Sequence, residues 1–166
     1  MSRSTLSPAP IHRAVCGTLR IGIVASRFHA EIVDRLVSGC LDALDQAGQD
    51  ASCRTLIRVP GAWELPWMVQ ALAGSGTYDA IVALGAVIRG ETDHYAHIAR
   101  ECIRGLMDVN LRGATPIALG VLTTDTVESA RERVGGRAGH KGVEAAAAAI
   151  EMATLRRRLH EEGDVS

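Results

Sequence analysis

Hydrophobic and polar positions along this chain follow two periods that take turns. The run LRIGIVAS (19–26) is continuous and rich in Ile and Val, the pattern of a strand buried on both faces. Over 29–48, Ile32, Val33, Leu36, Val37, Cys40, Leu41 and Leu44 recur at a spacing of 3.6, which predicts a helix ended by Gly48. CRTLIRV (53–59) predicts a second strand, stopped by Pro60. ELPWMVQALAG (64–74) reads as a short helix, because Pro66 fits only near a first turn. A third strand is expected over DAIVALG (79–85), followed by a long helix over HYAHIARECIRGLMDVNLR (94–112). PIALGVL (116–122) is the fourth strand, and DTVESARERV (125–134) a helix capped by Thr124 or Asp125. After GGRAGHKG (135–142) a last helix is expected from about Val143 to Leu159. Its five consecutive alanines favour helix and permit close packing.

Four strand–helix units in succession imply an α/β domain whose parallel sheet is covered on both faces. Such sheets bind ligands at the carboxyl ends of their strands. The segments there are SRFH (26–29), PGAWE (60–64), AVIRGETDH (86–94) and LTTDT (122–126). Aromatic residues make up only 3% of the chain, yet Phe28, Trp63 and Tyr95 all fall at this rim, which suggests a flat, ring-shaped ligand. The alternative is that Phe28 and Trp63 close the top of the core.

The third of these segments concentrates hydrogen-bonding groups. Residues 89–93 lead into a helix whose first N–H groups and positive dipole end form a natural anion site. Gly90 would let the backbone approach closely, Thr92 offers a hydroxyl, and a phosphate is the natural occupant. Plain N-capping by Thr92 or Asp93 is the alternative. His94, in the first turn, is placed to move protons near neutral pH, or is a surface histidine with no task. His94 and His97 share a helical face, but no further ligand set has a metal-site spacing.

Composition narrows the class. The length of 166 residues suits one domain, and 47% hydrophobic with 22% charged residues is ordinary for a soluble globular protein. A formal net charge of −1 gives no reason to expect nucleic acid. No run approaches the roughly 18 apolar residues of a membrane span. The opening MSRSTLSPAP lacks the apolar stretch of a secretory signal. Residues 1–14 are expected to form a flexible arm, 15–160 a single domain and 161–166 a flexible tail. Cys16, Cys40, Cys53 and Cys102 contain no CxxC pair and read as reduced, mostly packing thiols of a cytoplasmic protein.

GGRAGHKG is not a phosphate loop of the nucleotide-triphosphatase type. His140 stands where the last glycine belongs, Gly142 replaces Ser or Thr, and a helix is expected before it. Lys141 is nevertheless the only lysine among 18 basic residues, a compact charge suited to a ligand oxygen. Strand three does not end in an acidic residue, which argues against a phospho-acceptor receiver domain.

RFH, VPGAWELP, YDAIVALGAVIRGETDHY, GVLTTDT, ESARERVGGRAGHKG and EAAAAAIEMA stand in one order across residues 17–159. By these motifs the chain resembles the lumazine synthase family, transferases of riboflavin biosynthesis. The resemblance implies a flavodoxin-like three-layer sandwich with a four-stranded parallel sheet. It also implies condensation of 5-amino-6-(D-ribitylamino)uracil with 3,4-dihydroxy-2-butanone 4-phosphate to 6,7-dimethyl-8-ribityllumazine, phosphate and water, with no cofactor or metal. By position, Phe28 would stack on the pyrimidine. Ala62, Trp63 and Glu64, with backbone groups of Ala86, Val87 and Ile88, would hold the pyrimidine and ribityl chain. Glu91, Thr92 and Arg133 would surround the phosphate, His94 would transfer protons, and Lys141 would contact ligand. Arg133 and Lys141 would reach into the neighbouring subunit's site, as would Leu119, which stands where many members have an aromatic residue.

The chain departs from the family pattern elsewhere too. His29 replaces the usual asparagine, Trp63 a phenylalanine or tyrosine, and Gly136, Arg137 and His140 vary a loop often written with Thr, Lys and Asn. Homopentamers are implied. The short GGRAGHKG connection permits a shell of twelve pentamers, in which riboflavin synthase could associate. The competing readings are a catalytically weak flavin- or lumazine-binding relative and a flavodoxin-like carrier domain. The co-occurrence of His94, Arg133 and the phosphate loop favours the enzyme.

Overall fold

A computed structural model describes residues 19–163. Four strands, β1 (Ile21–Ser26), β2 (Arg54–Val59), β3 (Ala80–Ile88) and β4 (Ile117–Thr124), form one parallel sheet in the order β2-β1-β3-β4. The register runs unbroken, from Ile21 opposite Arg54 and Ala80 to Ile88 opposite Thr124. Alternate residues of the central strands feed two cores, as the side-chain period of two requires. Ile21, Ile23, Ala25, Val82 and Leu84 pack under α1 (Ala30–Gln46) and the last helix, whereas Val24, Ile81, Ala83 and Val87 pack under α2 (Leu65–Gly74) and α3 (His94–Arg112). The expected three-layer α/β/α architecture is therefore present.

Local chemistry accounts for the element ends. Gly48, at φ 73°, closes α1: its N–H donates to the Asp45 carbonyl at 2.9 Å, and that of Gln49 to Leu44 at 3.0 Å. Only a residue at ease in the left-handed region completes this pair of bonds cheaply. Pro66 lies in the first turn of α2, as its missing N–H demands. β3 runs three residues beyond the expected Gly85, because Ala86, Val87 and Ile88 find partners in Leu122, Thr123 and Thr124 of a likewise longer β4.

The segment after β4 differs most from expectation. The helix α4 covers only Val127–Arg131 and is capped by Thr126, whose Oγ1 accepts from the Ser129 N–H at 3.1 Å, instead of by Thr124 or Asp125. A hairpin of β5 (Val134–Gly136) and β6 (Gly139–His140) follows, where a helix end and a plain loop were expected. Gly135, at the register shift within β5, and Gly139, which opens β6, take φ 105° and 87°, which the sequence signals only as scattered glycines. The last helix, α5 (Lys141–Gly163), starts two residues early and carries residues 161–163, expected in a tail, as helix. Its alanines Ala145, Ala146, Ala149 and Ala153 are buried against the sheet and α1. Gly120 of β4 lies so close under α5 that any Cβ would run into Leu84 and come within 3.2 Å of Ala145. The expected N-terminal arm and Cys16 lie outside the described residues. No helix among the described residues is long and apolar enough to cross a membrane.

Candidate active site

The carboxyl ends of β1, β2 and β3 meet at one rim, and backbone bonds beyond the strands shape it. The N–H of Arg27 donates to the Val59 carbonyl at 2.8 Å and that of Phe28 to Pro60 at 3.1 Å, so the β1 and β2 exits stay side by side. Phe28 projects from this junction and is 67% exposed. His29 then turns into α1 with φ 57° and ψ 49°. A non-glycine residue in that left-handed region stores strain, and strain of this kind gathers at functional sites. Its ring meets Phe28 edge-on, the centroids 4.6 Å apart. Partial burial holds the His29 imidazole below its ordinary 6.5, favouring the neutral form.

Opposite Phe28, residues 61–64 make a tight turn. The Glu64 carboxylate accepts the Gly61 N–H at 2.7 Å, which locks the turn and leaves Trp63 standing 60% exposed above the rim. Glu64 thus has a structural partner and does not line the cavity. Third comes the β3 exit. Ala86, Val87 and Ile88, still in the strand, form the floor, and Gly90, Thr92, His94 and Tyr95 complete the wall. Together with Phe28, His29, Ala62 and Trp63 they enclose a cavity of about 340 Å³, of a size and apolar character that suit a small ring system.

α3 begins at the edge of this cavity with His94 as its first residue. Neither Thr92 nor Asp93 caps it: the Asp93 side chain makes no cap hydrogen bond, and among the described residues no side-chain acceptor meets the first N–H groups. The capping alternative is therefore not realised; the Ala96 N–H donates to the Asp93 carbonyl at 3.0 Å, and the N–H groups of His94 and Tyr95 before it remain available to an anion. Gly90 differs from its expected role. Its φ is not positive and an added side chain would meet nothing within 4 Å, so close approach of neighbouring backbone does not demand glycine there. Arg89 lies with its guanidinium 5.8 Å from the Tyr95 ring and 3.7 Å from Asp125. Among the described residues His94 and His97 gather no third metal-ligating side chain.

The remaining predicted residues lie elsewhere. Arg133 and Lys141 share a second cavity of about 250 Å³ with Val121, Leu122, Thr123, Ala138 and Glu144, and this cavity has no residue in common with the first. There the Lys141 Nζ pairs with Glu144 at 3.1 Å. Leu119 is exposed on β4, an outer strand of the sheet. Glu91 is exposed and lines neither cavity. Gly61 and Ile98 line the first cavity without having been singled out in the sequence. Ile98 stands four residues after His94, one helical turn along the same face, a spacing that could have identified it.

Comparison with known proteins identifies the family. A family profile described as 6,7-dimethyl-8-ribityllumazine synthase matches residues 18–157. A relative of that name from Desulfovibrio desulfuricans is 48% identical over 141 residues, 85% of this chain and 90% of its own length. Another of the same name, from Halorhodospira halophila, is 49% identical over 140 residues, 84% of this chain and 90% of its own. With four parallel strands, a ring-sized cavity at their carboxyl ends and a family match spanning both cavities, this chain belongs to the 6,7-dimethyl-8-ribityllumazine synthase family.

Proposed function

We propose that this chain condenses 5-amino-6-(D-ribitylamino)uracil with 3,4-dihydroxy-2-butanone 4-phosphate to give 6,7-dimethyl-8-ribityllumazine, with loss of phosphate and water, as a transferase of riboflavin biosynthesis. The observation that carries this reading is the cavity walled by Phe28 and Trp63 beside the uncapped N-terminus of α3. One half suits a flat pyrimidine, the other a phosphate, and His94, the first residue of α3, lines the same cavity.

The chemistry is the one the family resemblance implies. The pyrimidine amine attacks the ketone carbonyl and forms an imine, phosphate leaves, and the second nitrogen closes the ring. His94 passes the protons that imine formation and elimination require. Most of the rate gain comes from holding two reactive partners in register, for which a preformed aromatic slot next to a fixed anion site is suited. Glu91 and Thr92 flank the phosphate, while Glu64 acts through the turn that presents Ala62 and Trp63.

Arg133, Lys141 and Leu119 complete the neighbouring subunit's site in a homopentamer. Support comes from their separation from His94 within one chain and from the exposure of Leu119 on an outer strand. A head-to-tail ring repeats such sharing at every interface. Twelve pentamers form a hollow shell, riboflavin synthase can associate with it, and the protein works in the cytoplasm. Purified protein mixed with both substrates tests the reading: lumazine absorbance should rise faster than in protein-free buffer, and an equal rate would overturn it.

A further inference from the structure

We propose that His140 is a positioning residue, which sets Arg133 and Lys141 in place for the reaction; the inference rests on the functional reading above. His140 immediately precedes α5, and its Nδ1 accepts the Gly142 N–H at 3.2 Å. It therefore caps one of the free N–H groups of a 23-residue helix. Histidine can do this only as the neutral tautomer protonated at Nε2, whose Nδ1 carries a lone pair.

The ring is also wedged into the body of the domain. It lies over Gly39 of α1 so closely that a methyl group at Gly39 would overlap the imidazole. One turn earlier, the Gly142 backbone is pressed against the Leu36 carbonyl, leaving no room for a Cβ at Gly142 either. In the hairpin, Val134 and His140 stand opposite each other and are its two inward residues, while Gly135 through Gly139 are exposed. Val134 is buried in the α1 core. The hold of the hairpin on α1 thus passes through these two side chains.

That hold reaches the functional residues by short backbone links. Lys141 follows His140 directly, and its N–H donates to the Arg133 carbonyl at 2.8 Å. Arg133 precedes Val134, and both basic side chains emerge into the same 250 Å³ cavity. Freeing the imidazole would let the β6–α5 junction shift and would blur the positions of both cations together. The predicted consequence is weaker capture of the phosphate-bearing ketone, with the proton-transfer machinery at His94 untouched.

Three variants and the wild type, assayed by steady-state kinetics with thermal unfolding measured alongside, test this. His140→Ala should raise KM for the phosphate substrate about five- to tenfold, the scale of one lost cap, with kcat within about twofold of wild type. His140→Asn keeps an oxygen acceptor well suited to an N-cap and should restore KM to near wild type. Gly39→Ala, which keeps the histidine but displaces its ring, should raise KM as His140→Ala does, and it tests the proposal even if His140→Ala fails to fold. An unchanged KM in folded His140→Ala or Gly39→Ala, or no rescue by His140→Asn, would overturn the inference alone. A wild type that makes no lumazine would overturn the functional reading and this inference with it.

Discussion

At the residue scale, His94 and His29 face one cavity with different burdens. His94 is exposed at the first turn of α3, beside free N–H groups, and its proposed task is to move protons. His94→Ala should therefore lower kcat by roughly 10²-fold or less, the range of general acid–base catalysis, and leave KM for the pyrimidine nearly unchanged. Steady-state rates across pH check this, and wild-type rates throughout would remove His94 from the chemistry. His29 carries a stability cost instead. Its folded-state imidazole resists protonation below the ordinary 6.5 because burial disfavours the charge. The unfolded chain then binds more protons, so stability should be fully present above about pH 6.5 and fall as pH drops toward the lower folded value. His29→Asn tolerates the left-handed backbone and has no imidazole to titrate. Thermal unfolding between pH 5 and 8 should show the wild type losing ground to this variant as pH falls, whereas parallel curves would contradict the assignment. The aromatic asymmetry made Phe28, Trp63 and Tyr95 legible as rim residues. The left-handed turn at His29 was not legible, since it arises where a strand exit is bonded to a second chain segment far away in sequence.

At the element scale, α5 shows how packing decides what composition leaves open. Its alanine face lets the helix settle on β4, and Gly120 supplies the last clearance. Gly120→Ala should destabilise the fold by about 1–3 kcal/mol through overpacking, since neither Leu84 nor the adjacent backbone can give way freely. Urea unfolding checks this: a lower midpoint at unchanged slope is expected, and an unshifted midpoint would show more room than the geometry allows. Two buried thiols belong to the same packing. Burial pushes Cys40 and Cys102 up to about 12, so both stay protonated and inert, in keeping with their reading as packing residues. Strand and helix identities were legible because continuous apolar runs and 3.6-period stripes alternate. The β5–β6 hairpin was not, because its strands are three and two residues long and each contains a glycine with positive φ. The start of α5 was hidden for a related reason: its cap is a histidine, outside the usual Ser, Thr, Asp and Asn signals.

At the scale of the whole molecule, the proposal that subunits share sites concerns residues that one chain divides between two cavities. Sequence reasoning could assemble the His94 rim, because β1, β2 and β3 deliver it through their exits. It could place Arg133 and Lys141 only by resemblance. Refolding His94→Ala and Arg133→Ala together in equal amounts tests the sharing, once light scattering shows pentamers or their multiples and native mass spectrometry shows mixed assemblies. About a quarter of sites should then recover both residues, the product of two independent halves. Activity no higher than the parents' average, in assemblies shown to be mixed, would place both residues in one subunit's site. A stable monomer or dimer would refute the pentamer itself.

The most direct test of the central claim, that this rim makes lumazine, is to follow both products at once. Wild-type protein given 5-amino-6-(D-ribitylamino)uracil and 3,4-dihydroxy-2-butanone 4-phosphate should release phosphate and lumazine in equal amounts, well above the protein-free rate. His94→Ala should slow both traces alike. Phosphate release without lumazine, or traces indistinguishable from buffer, would contradict the account.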